Sequence, residues 1–121
     1  MKSMEIFTLG TFIEGHPKSR QANYRYLLLE SEKEIEDYGQ KMILTCFGIE
    51  IVREDIDKGL AYSEERERIE CMTTYRYKAV QLLKKLYDNC VSPIELIEIA
   101  GPIADEWVND FNNILQNIAV Q

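Results

Sequence analysis

The stretch SPIELIEIAGPIADEWVNDFNNILQNI, residues 92–118, contains the clearest helix signals and the most regular apolar pattern of the chain. Its first residues have the form of a capping box: Ser92 precedes a proline, and Glu95 follows three residues after the serine. Proline is common at the first position of a helix, where its missing N–H group costs nothing. A helix is therefore expected to begin at Pro93.

The second half of this stretch predicts an amphipathic helix. Gly101 and Pro102 favour a break between two helices, because glycine often ends a helix and proline fits the first turn of the next. The alternative is one continuous helix that is kinked at Pro102. After this point, apolar residues recur at helical spacing, namely Ala104, Trp107, Val108, Phe111, Ile114, Leu115 and Ile118.

These apolar residues also make the last helix the best candidate for a protein interface. Aromatic side chains anchor interfaces when the protein's own core does not absorb them. The simpler interpretation is that the stripe covers the protein's own sheet. A longer series alternates steps of three and four like a heptad seam, so a homodimer stays open: 97, 100, 104, 107, 111, 114 and 118. The predicted interface residues are Trp107, Phe111, Ile114 and Ile118.

The preceding residues alternate between strand patterns and charged segments. Four strands are predicted where β-branched, aromatic and leucine residues concentrate, over residues 4–13, 23–30, 41–53 and 69–74. The charged segments 30–40 and 54–68 are expected to be exposed connectors, with turns at Gly39 and at Lys58 and the glycine after it. Gly48 inside the third strand indicates a bulge or a close approach of another backbone.

A further helix is predicted between the last strand and residue 92. Thr73 or Thr74 is the candidate N-cap. Four strands followed by two or three helices favour an α+β fold, in which an antiparallel sheet has the helices packed on one face. The length of 121 residues, without a linker or repeat, fits one domain over residues 1–121. The helix predicted before residue 92 has an apolar stripe that consists of Tyr75, Ala79, Leu82, Leu83, Leu86 and Cys90.

Charge and composition bear on the class of partner and on the compartment. With 14 Lys and Arg against 21 Asp and Glu, the net charge of −7 makes nucleic acid an unfavourable partner. No apolar run approaches the roughly 20 residues of a membrane span, and a signal peptide is not indicated. We therefore expect a cytoplasmic protein without membrane contact, in which Cys46, Cys71 and Cys90 are buried thiols in a reducing compartment.

No catalytic, cofactor-binding or metal-binding residue is predicted. His16 is the only histidine, and it precedes Pro17 in an expected turn, so it is interpreted as a surface residue. The carboxylates of residues 30–37 lack the spacing of a calcium loop, and no glycine-rich phosphate loop occurs. The sequence thus does not indicate an enzyme, and it does not exclude one.

Three segments resemble successive landmarks of a known protein family: YRYLLLESE (24–32), FGIEIVRE (47–54) and NCVSPIELIEI (89–99). They are similar to an uncharacterised family of small cytoplasmic proteins from anaerobic Gram-positive bacteria, classified as a domain of unknown function. The resemblance covers about residues 24–100. It implies a compact cytoplasmic protein without an established activity, and it supplies no functional residues.

Two functional hypotheses follow from these observations. The first is a small regulatory or adaptor protein that acts through protein–protein contact, with an unidentified partner and a homodimer as one form. The alternative is a small-molecule-binding protein or enzyme with a pocket between sheet and helices, which uses Cys46 or a carboxylate. The apolar stripe and the lack of catalytic motifs favour the first hypothesis.

Overall fold

A computed structural model describes residues 1–12 and 20–112 as an antiparallel sheet with two helices. The four strands are hydrogen-bonded in chain order, which confirms the predicted α+β fold. The predicted histidine turn at His16 lies outside the described residues. The elements are β1 Lys2–Phe12, β2 Arg20–Asp37, β3 Gln40–Asp57, β4 Leu60–Thr73, α1 Arg76–Asp88 and α2 Pro93–Glu106.

Two tight turns close the hairpins that join β2 to β3 and β3 to β4. The central residues are Tyr38 (φ 51°) and Gly39 (φ 76°) in the first turn, and Lys58 (φ 53°) and Gly59 (φ 81°) in the second. Left-handed conformation at both central residues is the hallmark of the type I′ turn, whose twist matches that of the flanking strands. Both predicted turns are therefore confirmed.

The prediction of charged connectors on either side of these turns is wrong. The charged residues belong to strands, since β2 extends to Asp37 and β4 begins at Leu60. Residues 60–68 are exposed, although they are paired with β3. Strand segments that no other layer covers do not need an alternating apolar pattern, and the sequence therefore gave no strand signal there.

Gly48 lies at an irregularity of the sheet, as predicted. The register between β3 and β4 shifts between Phe47 and Ile49. A Cβ atom at Gly48 would collide with the backbone carbonyl oxygens of Ile69 and Glu70. Only glycine therefore permits the two strands to approach each other at this bulge.

The helices pack on one face of the sheet, where they form the main core. Alternate residues of β2 and β3 point toward this face, as expected for extended strands. Removing these apolar side chains from water is the main stabilising contribution to the fold, at about 1.5–3 kcal/mol for each large residue. The core includes Tyr24, Tyr26, Leu28, Phe47, Ile49 and Ile51 of the sheet, Ala79, Leu82, Leu83 and Leu86 of α1, and Leu96 and Ala100 of α2.

α2 is one continuous helix, so the predicted break at Gly101 and Pro102 is wrong. Proline inside a helix removes one backbone hydrogen bond and crowds the carbonyl group of Glu98, at a cost of about 3 kcal/mol. Two conditions make this tolerable. Leu96 and Ala100 bury the inner side of the helix, while Pro102 and Glu98 lie on its exposed side, where water can hydrate the carbonyl group.

The helix starts also differ in detail from the predicted caps. α2 begins where predicted, but the Ser92 hydroxyl donates to the Glu95 carboxylate at 2.8 Å and caps no backbone N–H group. The N-cap residue of α1 is Tyr75, so the prediction of Thr73 or Thr74 is wrong. The Thr73 hydroxyl instead accepts the backbone N–H of Tyr75 at 3.1 Å. A helix start therefore depends on neighbouring contacts as well as on the capping residue.

α1 ends in a Schellman motif that the sequence pattern did not predict. The backbone N–H groups of Val91 and Cys90 donate to the carbonyl groups of Leu86 (3.0 Å) and Tyr87 (3.1 Å), respectively. Cys90 has a φ of 52° and is exposed, so its predicted place in the buried helical stripe is wrong. It occupies the position after the helix where glycine is usual.

The other two cysteines lie side by side on neighbouring strands. Cys46 of β3 and Cys71 of β4 form a disulfide, with their Cα atoms 5.5 Å apart. The prediction of three free buried thiols is therefore wrong for this pair. Their separation of 25 residues in the chain gave no hint of pairing, because the two residues meet only when β3 and β4 lie next to each other.

Candidate functional site

The predicted interface residues are only partly available to a partner. Trp107 is half-buried against the main core, and Phe111 is buried with its ring centroid 5.0 Å from the Nζ atom of Lys33. Ile114 and Ile118 lie outside the described residues. Of the predicted set, Trp107 is thus the described residue that borders an accessible depression.

This depression, the helical groove, lies between α1 and α2 and has a volume of about 380 Å³. Tyr77 and Trp107 supply aromatic surface, and Lys85 supplies an exposed cation. Aromatic and cationic side chains together suit a partner that brings an apolar group beside a carboxylate. The groove is lined by Tyr77, Lys78, Gln81, Leu82, Lys85, Ile103 and Trp107.

The outer side of α2 and the residues just after it carries a second apolar feature, which we name the outer stripe. It consists of Ile94, Ile97 and Val108, whose exposures are 85%, 49% and 52%. The three-residue spacing of the two isoleucines makes them neighbours on the helix surface, outside the part that Leu96 and Ala100 bury. The outer stripe therefore leaves apolar surface that the fold itself does not cover.

The two helices carry opposite charges. α1 has four basic residues and one acidic residue, Asp88, whereas α2 has four acidic residues and no basic one. The whole chain has a net charge of −7, so the positive surface of α1 departs from the general balance. We call α1 and α2 together the helical layer. A partner that places acidic residues opposite α1 and basic residues opposite α2 would be attracted to it. The basic residues are Arg76, Lys78, Lys84 and Lys85, and the acidic residues are Glu95, Glu98, Asp105 and Glu106.

A hydrogen-bond network fixes the corner where β4, α1 and the segment after α2 meet. The buried carboxylate of Asp110 accepts hydrogen bonds from the Thr73 hydroxyl at 2.6 Å and from the Lys78 ammonium at 2.7 Å. The hydrogen bond to Asp110 raises the pKa of Lys78. Since Lys78 also lines the helical groove, this network holds one wall of the groove in place.

The opposite face of the sheet is charged, but its charges pair with one another. The buried carboxylate of Glu50 lies 3.4 Å from the guanidinium of Arg66 and 3.7 Å from that of Arg68. Arg25 forms an ion pair of 2.7 Å with Glu54 on the same face. Matched charges of this kind offer little net attraction to a charged ligand.

A second depression, the N-terminal cleft, lies between the sheet and the start of α1. Its volume is about 410 Å³. The apolar surface comes from the buried Leu28 and Phe47 and from Met4, which is 57% exposed. Charged groups lie beside this apolar surface, so the cleft offers a ligand both apolar and ionic contacts. Its lining residues are Lys2, Ser3, Met4, Leu28, Glu30, Phe47 and Arg76.

The residues considered for chemistry do not come together at either depression. Cys46 is fully buried in its disulfide and lines neither depression. Within residues 1–12 and 20–112, no three His, Cys, Asp or Glu side chains are grouped so as to hold a metal ion. The helices of this same part are too short or too polar to cross a membrane.

Sequence reasoning missed both the opposite helix charges and the N-terminal cleft. The first was visible, because Lys84 and Lys85 precede Glu95 and Glu98 in adjacent predicted helices. The cleft was not visible. It depends on the pairing of β1 with β2 and on the position at which α1 begins above the sheet.

Comparison with known proteins gives a family but no activity. Residues 10–108 match the model of a family of unknown function, DUF6514. No curated protein and no solved structure matches the chain. The match extends beyond the segment 24–100 on which the resemblance was based, and it includes β2 through α2. Because the match covers most of the sequence, the chain belongs to this family of unknown function.

Proposed function

We propose that the protein is a small regulatory or adaptor protein that acts through protein–protein contact, with a second copy of the chain as the partner of its helical layer. The observation that carries this proposal is the exposed outer stripe of α2 beside the oppositely charged α1. The stripe supplies apolar area for association, and the charges supply orientation.

A second copy fits the charges because homodimers are usually twofold symmetric. In a twofold interface, if α1 of one copy contacts α2 of its partner, the reverse contact forms as well. Lys85 of each copy then approaches acidic residues such as Glu98 of the other, so attraction is gained twice. The pairings of α1 with α1 or of α2 with α2 would bring like charges together and are disfavoured.

The apolar stripe provides the energetic reason for association. Ile94 and Ile97 remain exposed in the single chain. Burying a fully exposed isoleucine contributes about 1.5–3 kcal/mol, and each residue counts twice in a symmetric dimer. Part of this gain offsets the lost translational and rotational freedom of the two chains. A dimer that forms at micromolar concentration is consistent with these magnitudes.

Sedimentation velocity of the full chain over a micromolar concentration range tests the proposal. The wild-type protein is expected to dimerise, and Ile97→Glu is expected to be monomeric with an unchanged circular dichroism spectrum. Ile43→Glu is the matched control, since Ile43 is 66% exposed on β3 and belongs neither to the outer stripe nor to the lining of the helical groove. A wild-type protein that stays monomeric, or equal effects of the two substitutions, would contradict self-association.

The resemblance to proteins of anaerobic Gram-positive bacteria supports a bacterial cytoplasmic setting as part of the proposal. In such a compartment, cellular reductants keep most thiols reduced. We therefore expect the Cys46–Cys71 disulfide seen in the structure to be reduced to a dithiol in cells and to form again when the purified protein is exposed to oxidant. Alkylation of thiols at the moment of lysis, followed by mass spectrometry, measures the cellular state. A fully oxidised pair would argue against the cytoplasm.

Binding of a small molecule is the second candidate function. The N-terminal cleft favours it, because the cleft has the volume and the mixture of apolar and charged groups found in many ligand sites. Glu30 is the carboxylate that lines the cleft. Cys46 does not line it, so this function would not involve that thiol.

A further inference from the structure

We propose that the N-terminal cleft binds a small carboxylate with a short apolar tail. The tail would contact Leu28 and Phe47, and Arg76 and Lys2 would recognise the carboxylate. This site goes beyond the proposed self-association and rests on different residues, since the cleft and the helical groove have no lining residue in common.

The cleft exists because the sheet is longer than the helix that covers it. Lys2 pairs with Glu30 and Met4 with Leu28, and both pairs line the cleft together with Arg76, the first residue of α1. The floor beneath this end of the helix is apolar and buried, while the rows beyond it face the opening. A depression of about 410 Å³ therefore remains where sheet and helix part.

The charges of the cleft favour one negative charge on the ligand. Two cations, Lys2 and Arg76, and one anion, Glu30, line the cleft, which leaves an excess of one positive charge. Arg76 forms no ion pair with any residue in the described part of the chain, so its guanidinium is available. A guanidinium binds a carboxylate through two parallel hydrogen bonds.

The apolar part of the cleft favours a flexible or short hydrocarbon tail. Leu28 and Phe47 are nearly fully buried and provide a fixed floor. Met4 is largely exposed at the edge, and its unbranched side chain can adjust to the shape of a ligand. Burial of each methylene group contributes about 0.8 kcal/mol. Affinity is therefore expected to rise along the series butyrate, hexanoate and octanoate.

Isothermal titration calorimetry of the full chain with octanoate tests the site, with octanol and octylamine as comparators. Octanoate is expected to bind saturably and more tightly than either comparator. Arg76→Gln is expected to weaken octanoate binding about tenfold or more, since a charge-assisted hydrogen bond is lost. Lys41→Gln removes an exposed cation of β3 that lines neither the cleft nor the helical groove, and it should bind octanoate like the wild type.

A second variant tests the cleft independently of Arg76, in case Arg76→Gln changes octanoate binding by altering the fold. Met4→Glu places a negative charge at an exposed edge of the cleft, so it should weaken octanoate binding while the thermal midpoint of the free protein stays unchanged. Ile43→Glu is its control, and it should leave the affinity for octanoate unaltered. Octanol binding as tightly as octanoate, or wild-type affinity in both Arg76→Gln and Met4→Glu, would overturn the proposal.

Discussion

The inner and outer sides of α2 differ in a way that the protein's own fold does not require. On the inner side, Leu96 and Ala100 are completely buried against the core. On the outer side, Ile94 is largely exposed and Ile97 about half exposed, although a monomeric fold gains nothing from apolar surface in water. Single exposed apolar residues are common on protein surfaces, whereas a row of them often marks an interaction site. The inner side is thus explained by folding, and the outer side is the surface through which we propose that the protein associates.

The largest expected effect comes from substituting neighbouring residues on these two sides. Leu96→Ala should lower the free energy of unfolding by about 2–5 kcal/mol, because it leaves a cavity in the core. Ile97→Ala should change the stability of the monomer by less than about 0.5 kcal/mol, as for most surface substitutions. Urea denaturation at a concentration low enough to keep the protein monomeric measures both values. Similar losses in the two variants would remove the distinction between the sides.

The next effect concerns the corner network behind the helical groove. Asp110→Asn removes the charge that binds Lys78 and disturbs a buried hydrogen bond with Thr73, so it should cost about 1–3 kcal/mol. Lys78→Met removes the other partner and serves as the comparison. Thermal unfolding at neutral pH measures the losses. A neutral result for Asp110→Asn would show that the network contributes little to this corner.

The same network predicts a dependence of stability on alkaline pH. The folded-state pKa of Lys78 is raised above its ordinary value of 10.5. The resulting stabilisation is fully present below pH 10.5 and is lost as the pH rises through the folded-state pKa. Unfolding free energies measured on both sides of this range should therefore fall less in Lys78→Met than in the wild type. An identical decline in both proteins would contradict the assignment.

The smallest expected effect is a gain in stability at Cys90, just after the end of α1. This residue belongs neither to the core nor to the outer stripe. Cys90 has a left-handed backbone conformation, which costs about 1 kcal/mol in any residue with a side chain of this kind. Cys90→Gly should therefore raise the free energy of unfolding by up to about 1 kcal/mol. Chemical denaturation in the presence of a reductant measures the gain, with Cys90→Ala as the control that keeps the strain.

Local sequence signals predicted the features that depend on a few adjacent residues. Glycine with a preceding left-handed residue determines the turns at Gly39 and Gly59, and proline after a hydroxyl residue determines the start of α2. Gly48 identified the bulge, because a strand needs glycine only where another backbone comes close. In each case the cause lies within the segment itself.

Features that depend on distant contacts were missed or predicted wrongly. The helix continues through Pro102 because packing of its inner side outweighs the local cost of proline. The disulfide between Cys46 and Cys71 depends on the contact between two strands, and the N-terminal cleft depends on where α1 begins above the sheet. Of the predicted interface, Trp107 borders the helical groove, whereas the exposed Ile94 was not singled out.

The most direct test of association through the helical layer is charge exchange between two copies. Lys85→Glu and Glu98→Lys should each weaken the homodimer, because each creates two repulsive contacts in a twofold interface. An equimolar mixture of the two variants should associate as strongly as the wild type, since both contacts are then attractive again. Sedimentation equilibrium of the mixture and of each variant alone measures this. Equal dissociation constants for the mixture and the separate variants would contradict the pairing of α1 with α2.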